Sequence, residues 1–517
     1  MKRILVLLAA ILACVAIATV TNYSKRQPAS NAVEAEASAA APRPHRPTAF
    51  GINLAPAIYW TNERSFMNLA AGAGAWRSIN NGWKTIDSGQ VDRNGNLLWL
   101  QPGEQAALPL ARPPASHSGD VAIHCRYAGR GQVDGVGMVA PAGGPGRIDF
   151  TWRHDISIAY VRINATDRAD PVRNIDCREA GADPKLLFDP AFVDSLRPYK
   201  AVRFLDWQLT NVNVAGNWAK RTLPGAVIQS GPQGVAVEHM VTLANMAKVN
   251  PWFVMPWNAD AAYMTNFART VHDHLDPSLT AYVEIGNEIW NMQFPASRQA
   301  LEEGLRAGLG KANDEARMRR YGEHATQGFK IWERVYARDP KRLVRVLSGQ
   351  NAWPELLVDA LDYRDTARHV DALASAPYFG QPLLAEPPAD TSDIGPLFPK
   401  LNASIDPVLA SARRFKQIAD SRGLRYLGYE GGQHVNYAGK DATLIARLNR
   451  DPRMGDAFRL YLSRWNRDFG DLLMIFHSVS PTGTAMHFGL AEYSGQPMIE
   501  TPKRKAVLDA IAATKRK

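Results

Sequence analysis

Cysteine is scarce in this chain. Three occur in 517 residues, and Cys14 lies in an apolar N-terminal run, so the body keeps only Cys125 and Cys177. Those two either form a single disulfide in an oxidising compartment or stand as separate buried thiols. Neither is near the acidic strand ends described below, which argues against a nucleophilic thiol. Metal-ligand spacing is also missing: His239, His272 and His274 have no suitable companions, and no HExxH run occurs. No Gly-rich loop of Walker or dinucleotide form opens a helix after a strand, so no phosphate cradle is expected. The elbow pattern G-x-S-x-G is absent, and Ser348-Gly349-Gln350 reads as a tight turn. No metal and no cofactor is expected.

A basic body is lacking as well. The net charge of +10 concentrates at the ends: residues 1–50 carry +4 and residues 501–517 carry +5, leaving +1 between. With no basic stripe interleaved with aromatics, nucleic acid is not an expected partner.

What is present begins with an export-type leader over residues 1–20. Lys2 and Arg3 precede an apolar run from Ile4 to Val20, and Ala16-Ile17-Ala18 fits a cleavage site. The run reads as a signal peptide or as an uncleaved anchor, a possible membrane tether, since about 17 residues lies at the short edge of spanning length. Ile11-Leu12-Ala13-Cys14 loosely resembles a lipidation site. Each reading puts the body outside the cytoplasm: periplasmic, envelope-associated or secreted. Residues 21–48 are Ala/Pro-rich without hydrophobic period, a linker.

Order is expected from Phe50-Gly51-Ile52-Asn53-Leu54, a short strand, followed by a helix from Arg64 to Ala70. Residues 71–178 then turn Gly-rich, with short alternating runs such as Val121–Tyr127, Arg147–Trp152 and Ile156–Val161. That spacing predicts a small β-sandwich inserted into a larger domain, residues 49–70 and 179–517. In the larger domain strands alternate with helices. Expected strands are Ala201–Leu205, Trp252–Met255, Ala281–Ile285, Leu343–Leu347, Ala372–Ala376, Arg425–Tyr429 and Leu472–Phe476. With the first, they make the eight of a (β/α)₈ TIM barrel, an α/β fold.

Two of these runs end in acids. Tyr282-Val283-Glu284-Ile285-Gly286-Asn287-Glu288 and Leu424-Arg425-Tyr426-Leu427-Gly428-Tyr429-Glu430 each deliver a glutamate to the C-terminal rim, where barrel active sites lie. Two carboxyl groups on separate strand ends are the minimum for glycosidic cleavage, one protonating the leaving oxygen and one attacking or activating water. Asn287 is placed to hydrogen-bond the sugar 2-hydroxyl, a contact that strengthens in the transition state. Glu284, four residues before Glu288, shares its face but lies deeper, a buried partner for a cation such as Arg203. Trp207, Trp257, Trp290 and Trp353 follow strand ends and are candidate sugar-stacking walls or rim packing. Asn258 and Asp260 after the third barrel strand are candidate hydroxyl contacts, and His434 and His477 are rim candidates.

Gly286-Asn287-Glu288 after an apolar strand, with Tyr429-Glu430 on a later one, resembles the clan-A glycoside hydrolases, retaining (β/α)₈ enzymes. The resemblance implies that Glu288 is the acid/base and Glu430 the nucleophile. It also implies that Arg203 keeps the nucleophile ionised and that Tyr378 bonds it or lines the cleft. More narrowly, Val202–Asn211, Pro251–Pro256 and Glu284–Asn291, with the insert around Asp92–Gly95 and Tyr127–Gly131, resemble secreted bacterial proteins labelled cellulose-binding. Two positions depart from the clan pattern: Phe476-His477 stands where a Trp commonly ends strand eight, and Trp257 where a His is common. The expected function is an exported glycosidase acting on a β-linked polysaccharide, a β-glucan. The alternatives are a non-catalytic polysaccharide-binding protein on the same barrel and a scaffold for envelope polysaccharide assembly.

Overall fold

The computed structural model describes residues 46–137, 139–212, 216–381, 383–385, 390–435, 442–481 and 487–515. The leader and nearly all of the linker lie outside the described residues. Among those described, no helix is long and apolar enough to cross a membrane.

Eight parallel strands close into a barrel. They are β1 (Ala49–Asn53), β2 (Ala201–Arg203), β3 (Asn250–Met255), β4 (Ala281–Ile285), β5 (Leu343–Ser348), β6 (Ala372–Ser375), β7 (Arg425–Gly428) and β8 (Leu472–Ile475). Each pairs with its neighbours in sequence order, and β1 closes on β8 through Ala49↔Leu472 to Ile52↔Ile475. Strands buried on both faces carry near-continuous apolar runs, and successive side chains divide between interior and exterior. Inward, Trp252 and Val254, Tyr282, Val344 and Val346, Ala372 and Ala374, and Met474 form one cluster, with Trp252 stacked on Tyr282 at 5.4 Å. Outward, Phe253, Val283, Leu347, Leu373 and Ile475 join the helix layer. The interior is tight at Gly51, where a Cβ would lie 2.2 Å from the Met474 sulfur.

Helices cover the outside, among them Val237–Ala247, Ala261–His274, Pro295–Arg306, Asn313–Val335, Ile405–Ser421 and Pro452–Asp468. Their apolar faces carry the exterior cluster, for example Phe267, Phe329, Trp332 and Phe415.

One expectation fails. Arg64 to Ala70 is not an α-helix: it runs extended, bridges to Phe188 through Phe66, and only Leu69–Gly72 forms a short 3₁₀ turn. Backbone bonds to the segment before β2 take precedence, Met67 N to Leu187 O and Asp189 N to Ser65 O. The Arg64 guanidinium also donates to the carbonyls of Phe66 and Met67 while pairing with Glu179. Local apolar spacing mimicked a helix; tertiary pairing decided otherwise.

Between β1 and β2 lie two antiparallel sheets. One has four strands, Val121–Ala128, Val139–Gly144, Arg147–Trp152 and Arg173–Glu179; the other has five, Arg77–Ser78, Lys84–Thr85, Ala106–Pro109, Gly131–Val136 and Tyr160–Thr166. Residues from both, including Leu108, Ile123, Phe150, Trp152, Val161 and Ile163, share one apolar cluster. Cys125 and Cys177 face each other on adjacent strands and are disulfide-bonded.

Candidate active site

The barrel's inward positions lead upward to the site. On β4, Tyr282 and Glu284 point inward, and the chain then turns through Gly286 (φ +69°) and Glu288 (φ +47°). Glycine is required at 286, because a Cβ there would lie 2.7 Å from Ile289. A non-glycine residue in the left-handed region is uncommon, and such positions concentrate at functional sites. Glu288 is held there at the mouth, 8% exposed, with Glu430 beyond β7 at 5%.

Arg203, ending β2 and wholly buried, organises the floor. Its five guanidinium protons all find acceptors. Nε and one terminal nitrogen donate to Glu284 Oε2 at 3.3 and 2.8 Å, and that nitrogen also meets Asn287 Oδ1 at 2.8 Å. The other donates to Glu430 Oε1 at 2.7 Å and Asn53 Oδ1 at 3.2 Å. Glu284 is completed by Ser348 Oγ (2.6 Å) and Trp252 Nε1 (3.1 Å), so it is a buried ion partner, deeper than the rim.

The remaining Glu430 oxygen accepts from the Tyr378 hydroxyl at 2.8 Å. Glu288 Oε1 accepts from the Tyr429 hydroxyl at 3.0 Å, and Oε2 from Asn291 Nδ2 at 2.9 Å. Tyr429 adjoins Glu430 in the chain, and Arg203 lies 5.1 Å over its ring. The two rim carboxyl groups therefore belong to one hydrogen-bonded assembly.

Their electrostatics differ. Burial, then the Glu430 charge, pushes Glu288 up to about 8, against the donors Asn291 and Tyr429. Burial raises Glu430 as well; Arg203 and Tyr378 oppose the rise without cancelling it. Glu430 has a cation paired directly with it and Glu288 has none, an asymmetry that favours the proton on Glu288. The phenols of Tyr378 and Tyr429 are raised well above their ordinary value, chiefly by burial, and serve as neutral donors.

Other predicted site residues fall elsewhere. Trp207 is not a sugar platform: it is 1% exposed, stacks on Phe66 and Phe192, and spends its indole N–H on Ala55 O. Its strand end turns it into the helix layer. His477 is not a rim group either. It is 1% exposed, burial and then Lys503 depress it to about 3, and neither ring nitrogen has a hydrogen-bond partner among the described residues. Asp260 caps the helix Ala261–His274, accepting from Tyr263 N. Trp257 is buried against His324 at 4.3 Å. Asn258 is half-buried and accepts from Gln299. Trp290 and Trp353 are half-buried against the main core. His434 lies 5.4 Å from Tyr378, lowered to about 4 by burial.

No family model matches the sequence, and neither does any curated relative. The narrower likeness to proteins labelled cellulose-binding thus gains no support. Solved structures similar in shape are glycoside hydrolases. An arabinofuranosidase from Xanthomonas axonopodis pv. citri is 12% identical, over 56% of this chain and 60% of that one, with a TM-score of 0.34. A xylanase from Cellvibrio japonicus is 10% identical, over 87% and 98%, at 0.35. A broad-specificity endoglucanase from Clostridium longisporum is 9% identical, over 65% and 88%, at 0.36. This chain spans about 60% of the arabinofuranosidase's length. The fold stands on the barrel's own strand order.

Several site residues escape sequence reading. Asn53 ends β1 and, besides accepting from Arg203, donates to the carbonyls of Tyr429 and Ile475. A polar residue closing an apolar strand was its only signal. Asn211 Oδ1 accepts from Asn287 Nδ2 at 3.0 Å. Asp206, half-buried beyond β2, is pushed up to about 7 by burial and the Glu430 charge. Among the described residues no group of three or more His, Cys, Asp or Glu is arranged to hold a metal ion.

Proposed function

We propose that the protein is a glycoside hydrolase that cleaves a β-linked polysaccharide, a β-glucan, by retaining double displacement. A carboxylate beside a protonated carboxyl group is what that chemistry needs. In the first step a Glu430 oxygen bonds the anomeric carbon, the glycosidic C–O bond breaks, and Glu288 gives its proton to the leaving oxygen. In the second, water gives a proton to Glu288 and its oxygen bonds the anomeric carbon, releasing Glu430. Glu288 must change from acid to base between the steps. Glycosylation removes the Glu430 charge, the second-largest cause of its raised pKa.

The observation that carries the reading is the paired arrangement. Glu430 is held by Arg203 and Tyr378, while Glu288 is raised beside it at the same barrel mouth. Asn287, fixed by Arg203 and Asn211, has a second amide proton left for a sugar hydroxyl. The reading extends to an exported protein, which the leader supports and an oxidised Cys125–Cys177 pair suits.

The test is to incubate the protein and its Glu430→Ala variant with a panel of β-glucans and assay new reducing ends. Product from the wild type and none from the folded variant is expected. Undiminished activity in the variant would refute the role of Glu430; glycan binding without product across the panel would favour a non-catalytic binder.

A further inference from the structure

The two oxygens of Glu288 do not have equivalent surroundings. Oε2 accepts from Asn291 Nδ2 at 2.9 Å, and that amide cannot turn round. Asn291 Oδ1 is engaged by the backbone N–H of Gln293 at 3.1 Å, and a backbone N–H meets only an acceptor. The Asn291 backbone is tied in the same turn, its N–H donating to Glu288 O at 2.7 Å and its carbonyl accepting from Phe294 N. Oε2 therefore faces a fixed donor, and a proton placed there would point at another hydrogen. Oε1 faces the Tyr429 hydroxyl at 3.0 Å, a group whose hydrogen turns about the C–O bond and whose oxygen can accept.

We infer that Asn291 and Tyr429 are positioning residues that make the Glu288 oxygens unequal: Asn291 locks Oε2 as a permanent acceptor, and Oε1, beside the Tyr429 hydroxyl, gives up and takes back the proton. This rests on the hydrolase reading above and refines it to a single atom. In the first step the proton leaves Oε1 for the glycosidic oxygen, and Tyr429 donates to the carboxylate that remains. In the second step the attacking water returns a proton to Oε1. Tyr429 is wholly buried under Arg203, so its ring is fixed while its hydroxyl hydrogen is free to turn. Because Tyr429 adjoins Glu430, the strand that carries the nucleophile also sets the acid.

The charged and titratable groups facing Glu288 are Glu430 and Tyr429 from beyond β7, Arg203 from β2 and Tyr378 from beyond β6. Glu284 lies deeper on β4, against Tyr429, and Asp206 lies beyond β2, against Glu430. Only Tyr429 and Asn291 donate to the Glu288 carboxyl group among these and the other described residues.

The test compares the wild type with Tyr429→Phe and Asn291→Asp in the full chain. The Glu288 titration is read from glutamate labelled with ¹³C at the side-chain carboxyl carbon, the resonance being identified by its loss in Glu288→Gln. Tyr429→Phe removes one hydrogen bond to the charged form, so the Glu288 pKa should rise by about one unit. Asn291→Asp replaces the fixed donor with an acceptor; it should raise the pKa further and lower kcat more than Tyr429→Phe does. An unchanged Glu288 pKa in both variants, with or without lost turnover, would overturn the inference and leave the two residues structural. Because the titration is read without turnover, a wild type that hydrolyses nothing would sink the hydrolase reading while the inequality of the two oxygens was still decided.

Discussion

Replacing Arg203 with Ala perturbs the assembly at its centre. The guanidinium is wholly buried, as is Glu284, and Glu430 is 5% exposed. Removing the cation leaves two buried carboxylates without their charge partner, and such a break costs about 3–5 kcal/mol. The loss should depend on pH in a defined direction. Glu430 is already raised by burial against the pull of Arg203, and without the cation it rises further. A carboxyl group raised in the folded state holds its proton more tightly there than in the unfolded chain. Its destabilising effect is therefore absent below the unfolded pKa of about 4.3 and grows as pH rises from there through the folded value. Urea unfolding followed by tryptophan fluorescence should show a small deficit near pH 4 and a larger one near pH 7.5. Arg203→Lys should recover only part of it, because an ammonium has three donors where five acceptor contacts now stand. A deficit equal at both pH values, or below about 1 kcal/mol at pH 7.5, would refute the idea that this cation compensates buried negative charge.

Two further outcomes are expected. The pH profile of kcat/KM on an aryl β-glucoside should be bell-shaped, falling above about pH 8 as Glu288 loses the proton it must donate, and below the range where Glu430 is ionised; activity still climbing at pH 9 would contradict the acid role. Cys125→Ala with Cys177→Ala should lower stability by about 2–4 kcal/mol and leave kcat unchanged in the folded protein, as would suit a disulfide in an apolar cluster that contains none of the site residues; unaltered urea midpoints would contradict this.

Much of the barrel was legible because parallel strands buried on both faces must be apolar throughout. Val202, Phe253, Val283, Leu373 and Leu473 each sit in such a run and pack where it implies. Period-two parity also placed Glu284 beneath Glu288, within reach of Arg203. Parity stops at the strand end, and the errors begin there. Trp207 and His477 follow strands as rim residues do, but the turn after each strand buries them. Arg64 to Ala70 has helical spacing, yet Phe66 pairs with Phe188, 122 residues away, which no local pattern shows. Asn291 and Asn211 were missed for a related reason. Each matters through one amide contact fixed by loop geometry, and the composition of these loops does not encode it.

The most direct measurement is intact-protein and peptide mass spectrometry after incubation with a 2-deoxy-2-fluoro β-glucoside bearing a good leaving group. The fluorine slows both formation and hydrolysis of the covalent intermediate, and the good leaving group restores only its formation, so the intermediate accumulates. One added glycosyl mass, mapping to the peptide that contains Glu430 and absent from Glu430→Ala, is expected. Label on a different carboxyl group would contradict the assignment of the nucleophile, and turnover without any adduct, giving product of inverted configuration, would contradict double displacement.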